Sequence, residues 1–193
     1  MSLKDIKAGF ALTGSFCTFK QVIPKIAELV DAGIDILPIM SENASSIDTR
    51  FGKASDFIKQ IEEITNKKVL TTISEVEPIG PKKLLDILII APCTGNTLGK
   101  IANGITDTSV SMAAKATLRN KKPVVIAVST NDGLSQSAKN LGLLLNTKNV
   151  YFVPFAQDDP VNKETSLVAK FDMILPTVEQ ALSGKQIQPL LLQ

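Results

Sequence analysis

The sequence predicts an α/β fold, a single doubly wound domain built on a mainly parallel sheet. Two observations carry this. Short apolar runs, too continuously greasy for strands wetted on one face, alternate with segments whose apolar residues recur at helical spacing. The alternation continues without a composition break, an internal repeat or a low-complexity stretch, and 193 residues suit one domain with a real core.

The elements follow in order. "IKAGFAL" (6–12) is an apolar run ended by Thr13-Gly14-Ser15. Val22, Ile23, Ile26, Leu29 and Val30 then fall at helical spacing until Gly33 stops the helix. "IDILPIM" (34–40) is a second strand, closing on the polar loop "SENASSIDTR". "ASDFIKQIEEI" (54–64) is an amphipathic helix with Phe57, Ile58, Ile61 and Ile64 on one face. "TTISEVEPIGPKK" (71–83) is the least regular stretch, and its prolines and glycine predict a surface loop or flap. "DILIIA" (86–91) is a strand covered on both faces, and "VSMAAKATLRN" (110–120) is a helix. "KPVVIAVST" (122–130) is another buried strand, followed by a helix in "SQSAKNLGLLLN" (135–146) and a strand in "NVYFVPF" (149–155). "PTVEQALSG" (176–184) is a late helix with proline near its start and glycine at its end. The tail, 185–193, carries three leucines after a proline and packs on its own domain or on a neighbouring subunit. Together these make a single Rossmann-like domain over 1–193, a three-layer sandwich.

Composition narrows the function. Hydrophobic residues are 44% and charged residues 21% of the chain, as in an ordinary globular protein. A formal charge of +2, spread over scattered lysines, argues against nucleic-acid binding. The two cysteines, Cys17 and Cys93, lie far apart and make no zinc pattern, so no metal site is expected. No segment approaches a membrane span, and "MSLKDIKAGFALTG" lacks a signal-peptide layout, which predicts a cytoplasmic setting. There is no histidine, which excludes Ser-His-Asp and Cys-His catalysis and any histidine base or metal ligand. Chemistry here must use a cofactor or carboxylate, thiol, amine, hydroxyl and amide groups.

In a doubly wound sheet, ligands bind beyond the carboxyl ends of the strands. The segments that follow the predicted strands are "TGSFCT" (13–18), "SENASS" (41–46), "CTGNT" (93–97) and "STND" (129–132). Helix-start N–H groups, supplemented by hydroxyls, make an anion site, and glycine admits a ligand close to the backbone. Any one of these loops alone reads as capping; four on one rim favour a phosphate-bearing ligand. Gly14, Ser15, Ser41, Thr94, Asn96 and Thr97 are the candidate cradle. Phe16, Pro92, Gly95, Ser129 and Thr130 stand beside them, and Asn131 is placed to bond a ring edge or a carboxylate. Walker-A and GxGxxG sequences are absent. Cys17 and Cys93 read as buried packing residues, and Asp107 and Asp132 as caps; no catalytic residue is assigned.

"APCTGNTLGKIANGITD" (91–107) resembles the Ala-Pro-Ala-Thr-Ala-Asn-Thr-x-Ala-Lys-x-Ala-x-Gly-x-x-Asp motif of the flavin-binding cysteine-decarboxylase-like flavoprotein family. The matches are Ala91, Pro92, Thr94, Asn96, Thr97, Lys100, Ala102, Gly104 and Asp107. "TGS" (13–15) is similar to the family's first phosphate loop, Ser41 falls where the family has a hydroxyl near the flavin, and Asn131 aligns with its asparagine. The stretches "DTRFGKASDFIKQIEEIT", "MAAKATLRNKKPVV", "STNDGL" and "NVYFVPFAQDDP" resemble the dipicolinate-forming branch of that family. The resemblance implies an oxidoreductase subunit of spore formation in the mother-cell cytoplasm. It implies that the chain acts with an A subunit to convert a dihydrodipicolinate-type precursor to pyridine-2,6-dicarboxylate. The hydride acceptor it implies is FMN in this chain, NADP on the partner, or one relaying to the other. It also implies assembly of several copies. A dicarboxylate substrate calls for cations, and Arg50 and Lys53 of "DTRFGK" are the candidates; Arg119, at a helix end, reads as a dipole partner. The lack of histidine and tryptophan, and "STNDGLSQS" where the decarboxylases carry a Met-Asn segment, disfavour cysteine decarboxylation. A flavin prenyltransferase- or decarboxylase-like flavoprotein and a non-catalytic scaffold subunit stay open as alternatives.

Overall fold

A computed structural model describes residues 3–192. Its frame is a seven-stranded sheet with helices on both faces. The parallel part has the order β2 (Asp35–Met40), β1 (Lys7–Leu12), β3 (Ile87–Cys93), β4 (Val124–Thr130) and β5 (Val150–Phe152). Chain order therefore reverses between β1 and β3, and a crevice opens there above the carboxyl ends. β1 runs in register with both neighbours, Leu12 opposite Met40 and Ala11 opposite Ile90. The β3–β4 register shifts between Ile90 and Cys93, across Pro92, which has no N–H for the ladder.

All seven residues of β3 are buried, as its unbroken apolar run requires of a central strand covered on both sides. α1 (Phe19–Asp31) and α3 (Ala54–Thr65) pack together on the sheet, joined by the edge-to-face pair Phe19–Phe57 with ring centroids 5.0 Å apart. α5 (Gly95–Ala102) and α6 (Ser109–Arg119) follow β3, α7 (Ala138–Leu145) follows β4, and α8 (Ile174–Leu182) packs on α1 and the sheet. Every buried side-chain polar atom among the described residues has a hydrogen-bond partner.

The structure alters four sequence expectations. The polar loop after β2 begins with a short helix, α2 (Glu42–Ser46), capped by Ser41. Residues 71–83, expected as irregular, hold α4 (Ile73–Val76) and a 3₁₀ turn, anchored by buried Val76 and Ile79. α7 starts only at Ala138, because Ser135 and Ser137 are drawn into a turn by the Asp132 carbonyl. "NVYFVPF" is two strands. Pro154, which cannot donate, separates β5 from β6 (Phe155–Asp159), and β6 pairs antiparallel with β7 (Lys163–Ala169). β7 joins β4 at Ser129 and Thr130, so this hairpin extends the sheet beside the carboxyl-end crevice.

The tail lies along the β5–β6 edge. Phe152 N–H donates to the Gln186 side-chain oxygen at 2.8 Å, and the Gln186 amide donates back to the Phe152 carbonyl at 2.7 Å. Leu190 and Leu192 bond Phe155 through their backbones. At the other edge Leu70 bonds Pro38 and Met40.

Candidate functional site

A cleft of about 920 Å³ lies over the β1, β3 and β4 ends, within the size range of small-molecule sites. Its floor is built by three strand exits. Thr13 is buried after β1 and ties two of them together: its hydroxyl donates to the Pro92 carbonyl at 2.7 Å and accepts from Thr94 N–H at 2.9 Å. Thr94 caps α5, accepting from Thr97 N–H at 3.4 Å, which leaves the α5 start directed at the cleft. Ser15, after β1, and Ser129, at the end of β4, bring their hydroxyls to 2.8 Å.

Behind the α5 start, the Asp132 carboxylate accepts hydroxyl hydrogen bonds from Thr130 and from Ser137, the latter at 3.0 Å. Gly95 packs on this knot. A Cβ there would stand 2.6 Å from both the Asp132 oxygen and the Ser137 hydroxyl, so only glycine brings the helix start this close. The apolar part of the lining comes from Phe16, Phe51 and Val168.

Of the residues expected at the site, Gly14, Ser15, Phe16, Thr94, Gly95, Asn96, Ser129, Thr130 and Asn131 line this one cleft. Pro92, Thr97 and Ser41 do not. Pro92 is buried below the floor and offers its carbonyl to Thr13. Thr97 is buried in the α5 cap, and Ser41 spends its hydroxyl on Ala44 N–H at 3.3 Å. Arg50 and Lys53 also stand outside the lining. The Arg50 guanidinium lies 4.9 Å from the ring centre of Phe51, which is the cleft's own contact in that loop.

Cys93 is the buried packing residue expected, its thiol pushed up to about 12 by loss of solvent, which removes it as a nucleophile. Cys17 differs from expectation: it is exposed and lines the cleft. Asp107 caps nothing and pairs with Lys100 at 2.6 Å, which holds its carboxyl below the usual range. Sequence reading missed Asp158, Lys163, Ser166 and Val168, all carried by the β6–β7 hairpin. The signal was present as Asp-Pro-x-Asn between two strand-like runs at 159–162.

The residues suit a flavin mononucleotide in two respects. Hydroxyls and helix-start N–H groups meet where a phosphate would sit, and Phe16, Phe51 and Val168 offer apolar surface to a ring. No cluster of metal ligands occurs among the described residues, and no helix there is long and apolar enough to cross a membrane.

Comparison with known proteins agrees with this geometry. The family model described as Flavoprotein matches residues 1–182. The dipicolinate synthase B subunit of Bacillus subtilis (strain 168) is 48% identical over 192 residues, covering 100% of this chain and 96% of that protein. The crystal structure of the dipicolinate synthase B subunit from Bacillus halodurans C superposes with a TM-score of 0.92 at 44% identity, covering 100% of this chain and 99% of that one. Burkholderia xenovorans DmrB, solved in complex with FMN, shares the fold at a TM-score of 0.66 and 19% identity, with 93% and 96% of the two chains covered. By these matches the chain belongs to the flavoprotein family, on the branch that contains the dipicolinate synthase B subunits.

Proposed function

We propose that this chain is the flavin-binding subunit of a two-subunit dipicolinate synthase. With an A subunit that carries NADP, it oxidises a dihydrodipicolinate-type precursor to pyridine-2,6-dicarboxylate during spore formation. One observation carries the reading: the hydroxyls of Ser15 and Ser129 and the α5 start converge on one cleft at the strand-order reversal. The full-length similarity to B subunits supports it.

The reaction removes a hydride equivalent and a proton from a dihydropyridine ring, and aromatisation drives it. Bound FMN supplies the acceptor for the hydride equivalent, which no side chain can be. The chain's own groups hold and orient. Ser15, Asn96 and Ser129 would hold the phosphate end together with the N–H groups of α5, whose start is fixed by the Thr94 cap. Phe16, Phe51 and Val168 shield the ring from water. Asn131 stands on the rim, its carbonyl fixed by the Thr165 hydroxyl at 2.6 Å, leaving its side-chain amide for a ring edge or carboxylate. Association of several copies completes the walls of this open cleft.

Titration of the purified chain with FMN, with and without an A subunit, tests the reading through flavin fluorescence quenching. Saturable quenching is expected from this chain alone, weakened in Ser15→Ala. No quenching in either condition overturns the flavin assignment.

A further inference from the structure

The charged side chains lining the cleft are Asp132, Asp158 and Lys163 among the described residues. Two carboxylates and one ammonium give the cleft a net negative charge, which opposes entry of a dianion unless the ammonium turns to meet it. Asp132 is already engaged by Thr130 and Ser137. Asp158 and Lys163 face each other across the β6–β7 hairpin, and the Lys163 ammonium donates to the Asp158 carboxylate. Asp159 is taken by Asn162, whose backbone N–H and side-chain amide donate to it at 3.1 and 2.9 Å.

We propose that Lys163 recognises a carboxylate of the substrate, exchanging Asp158 for it when the dianion enters. The assignment rests on the dicarboxylate reading above and names its specificity residue. Three observations carry it. Lys163 is the cation in the lining, whereas Arg50 lies against Phe51 and Lys53 at the exposed start of α3. Its partner is readily exchanged: the Lys163 and Asp158 side chains are 55% and 38% exposed, and ion pairs in that setting are weak. A carboxylate inside the cleft offers the same charge-assisted bond with less competition from water. Finally, Lys163 of the hairpin and Cys17 of the β1 loop line the same cleft, so the hairpin and the loop that carries Ser15 share its walls.

The test is calorimetric titration of the chain, mixed with FMN and its A subunit, with pyridine-2,6-dicarboxylate. Pyridine-2-carboxylate, which has one charge fewer, is titrated in parallel. Lys163→Gln is expected to weaken dicarboxylate binding about tenfold and the monocarboxylate less, while Lys163→Arg stays within about threefold. Asp158→Asn is expected to tighten dicarboxylate binding about threefold, and the double variant to behave as Lys163→Gln alone. A purely structural ion pair would instead make both single variants lose affinity together. Unchanged dicarboxylate affinity in Lys163→Gln overturns the assignment, as does loss of FMN affinity in its place, or an unaltered protein that does not bind the dicarboxylate. Failure of the unaltered chain to bind FMN overturns the cofactor reading separately, and the Lys163 comparison then decides the assignment without FMN.

Discussion

The hydroxyls of Ser15 and Ser129 meet at 2.8 Å, although one follows the first strand and the other ends the fourth. Two donors so close together on the cleft floor fit a shared anionic oxygen better than two separate ligands. Ser15→Ala and Ser129→Ala are each expected to weaken FMN binding about tenfold, with less than the summed loss in the double variant. Quenching titrations check this.

Gly95→Ala tests the close approach of α5. Its Cβ would press on Asp132, Ser137 and Thr130 at 2.6–2.7 Å, so the helix start or the knot must move. A loss of about 1–3 kcal/mol is expected, with a lower Tm and weaker FMN binding in the same variant. Thermal unfolding and quenching together test it; an unchanged Tm would show that the knot yields freely.

Thr13→Val removes a buried hydroxyl that serves both the Pro92 carbonyl and Thr94 N–H. Thr94 N–H loses its partner below the cleft, while the Pro92 carbonyl keeps only the Thr13 N–H at 3.2 Å, at a cost of about 1–3 kcal/mol in urea unfolding. The shape of the side chain is nearly kept, so the loss reports hydrogen bonding and not packing.

The two thiols should react differently. Cys17 is exposed and Cys93 is buried, with its thiol pushed up to about 12. At neutral pH a thiol-specific reagent is expected to label Cys17 alone, and both only after unfolding. FMN should slow labelling of Cys17, because that residue lines the cleft. Mass spectrometry of the labelled peptides reads both outcomes.

Glu75 gives a pH-dependent contribution. Thr71 N–H donates to its carboxylate at 2.9 Å, as do the Thr72 hydroxyl and N–H at 3.0 Å, and these bonds hold its carboxyl below the usual range. A lowered native pKa stabilises the fold above the unfolded value and is lost as pH falls through the native one. The Tm difference between the unaltered chain and Glu75→Gln should therefore shrink as pH falls through and below the usual carboxylate range.

The parallel strands were legible because each is an unbroken apolar run, and a strand buried on both faces leaves no other trace. The cleft-lining residues were legible for a related reason: carboxyl ends of parallel strands share one rim, so Ser15, Thr94 and Ser129 come together whatever the loop details. Ser41 differed because a hydroxyl that caps a helix and one that faces a ligand look alike in sequence, and Thr97 because its buried hydroxyl accepts from that of Thr94, the residue that caps α5. Arg50 had the right charge beside the wrong neighbour, since Phe51 takes the cleft position. Lys163 was missed for a topological reason, although the turn at 159–162 marked its hairpin. Its hairpin returns antiparallel to β4, and a lysine in an uncounted strand cannot be placed on any rim.

The segments lying along the two flanks of the sheet also limit how this protein meets others. With Leu70 bonded along β2, and Gln186, Leu190 and Leu192 bonded along β5 and β6, much of the backbone that a foreign strand would need is already occupied from within the same chain. Any contact with another protein is then left to side chains on helices and on the cleft's mouth. Their specificity should be changeable by surface substitution without loosening the sheet.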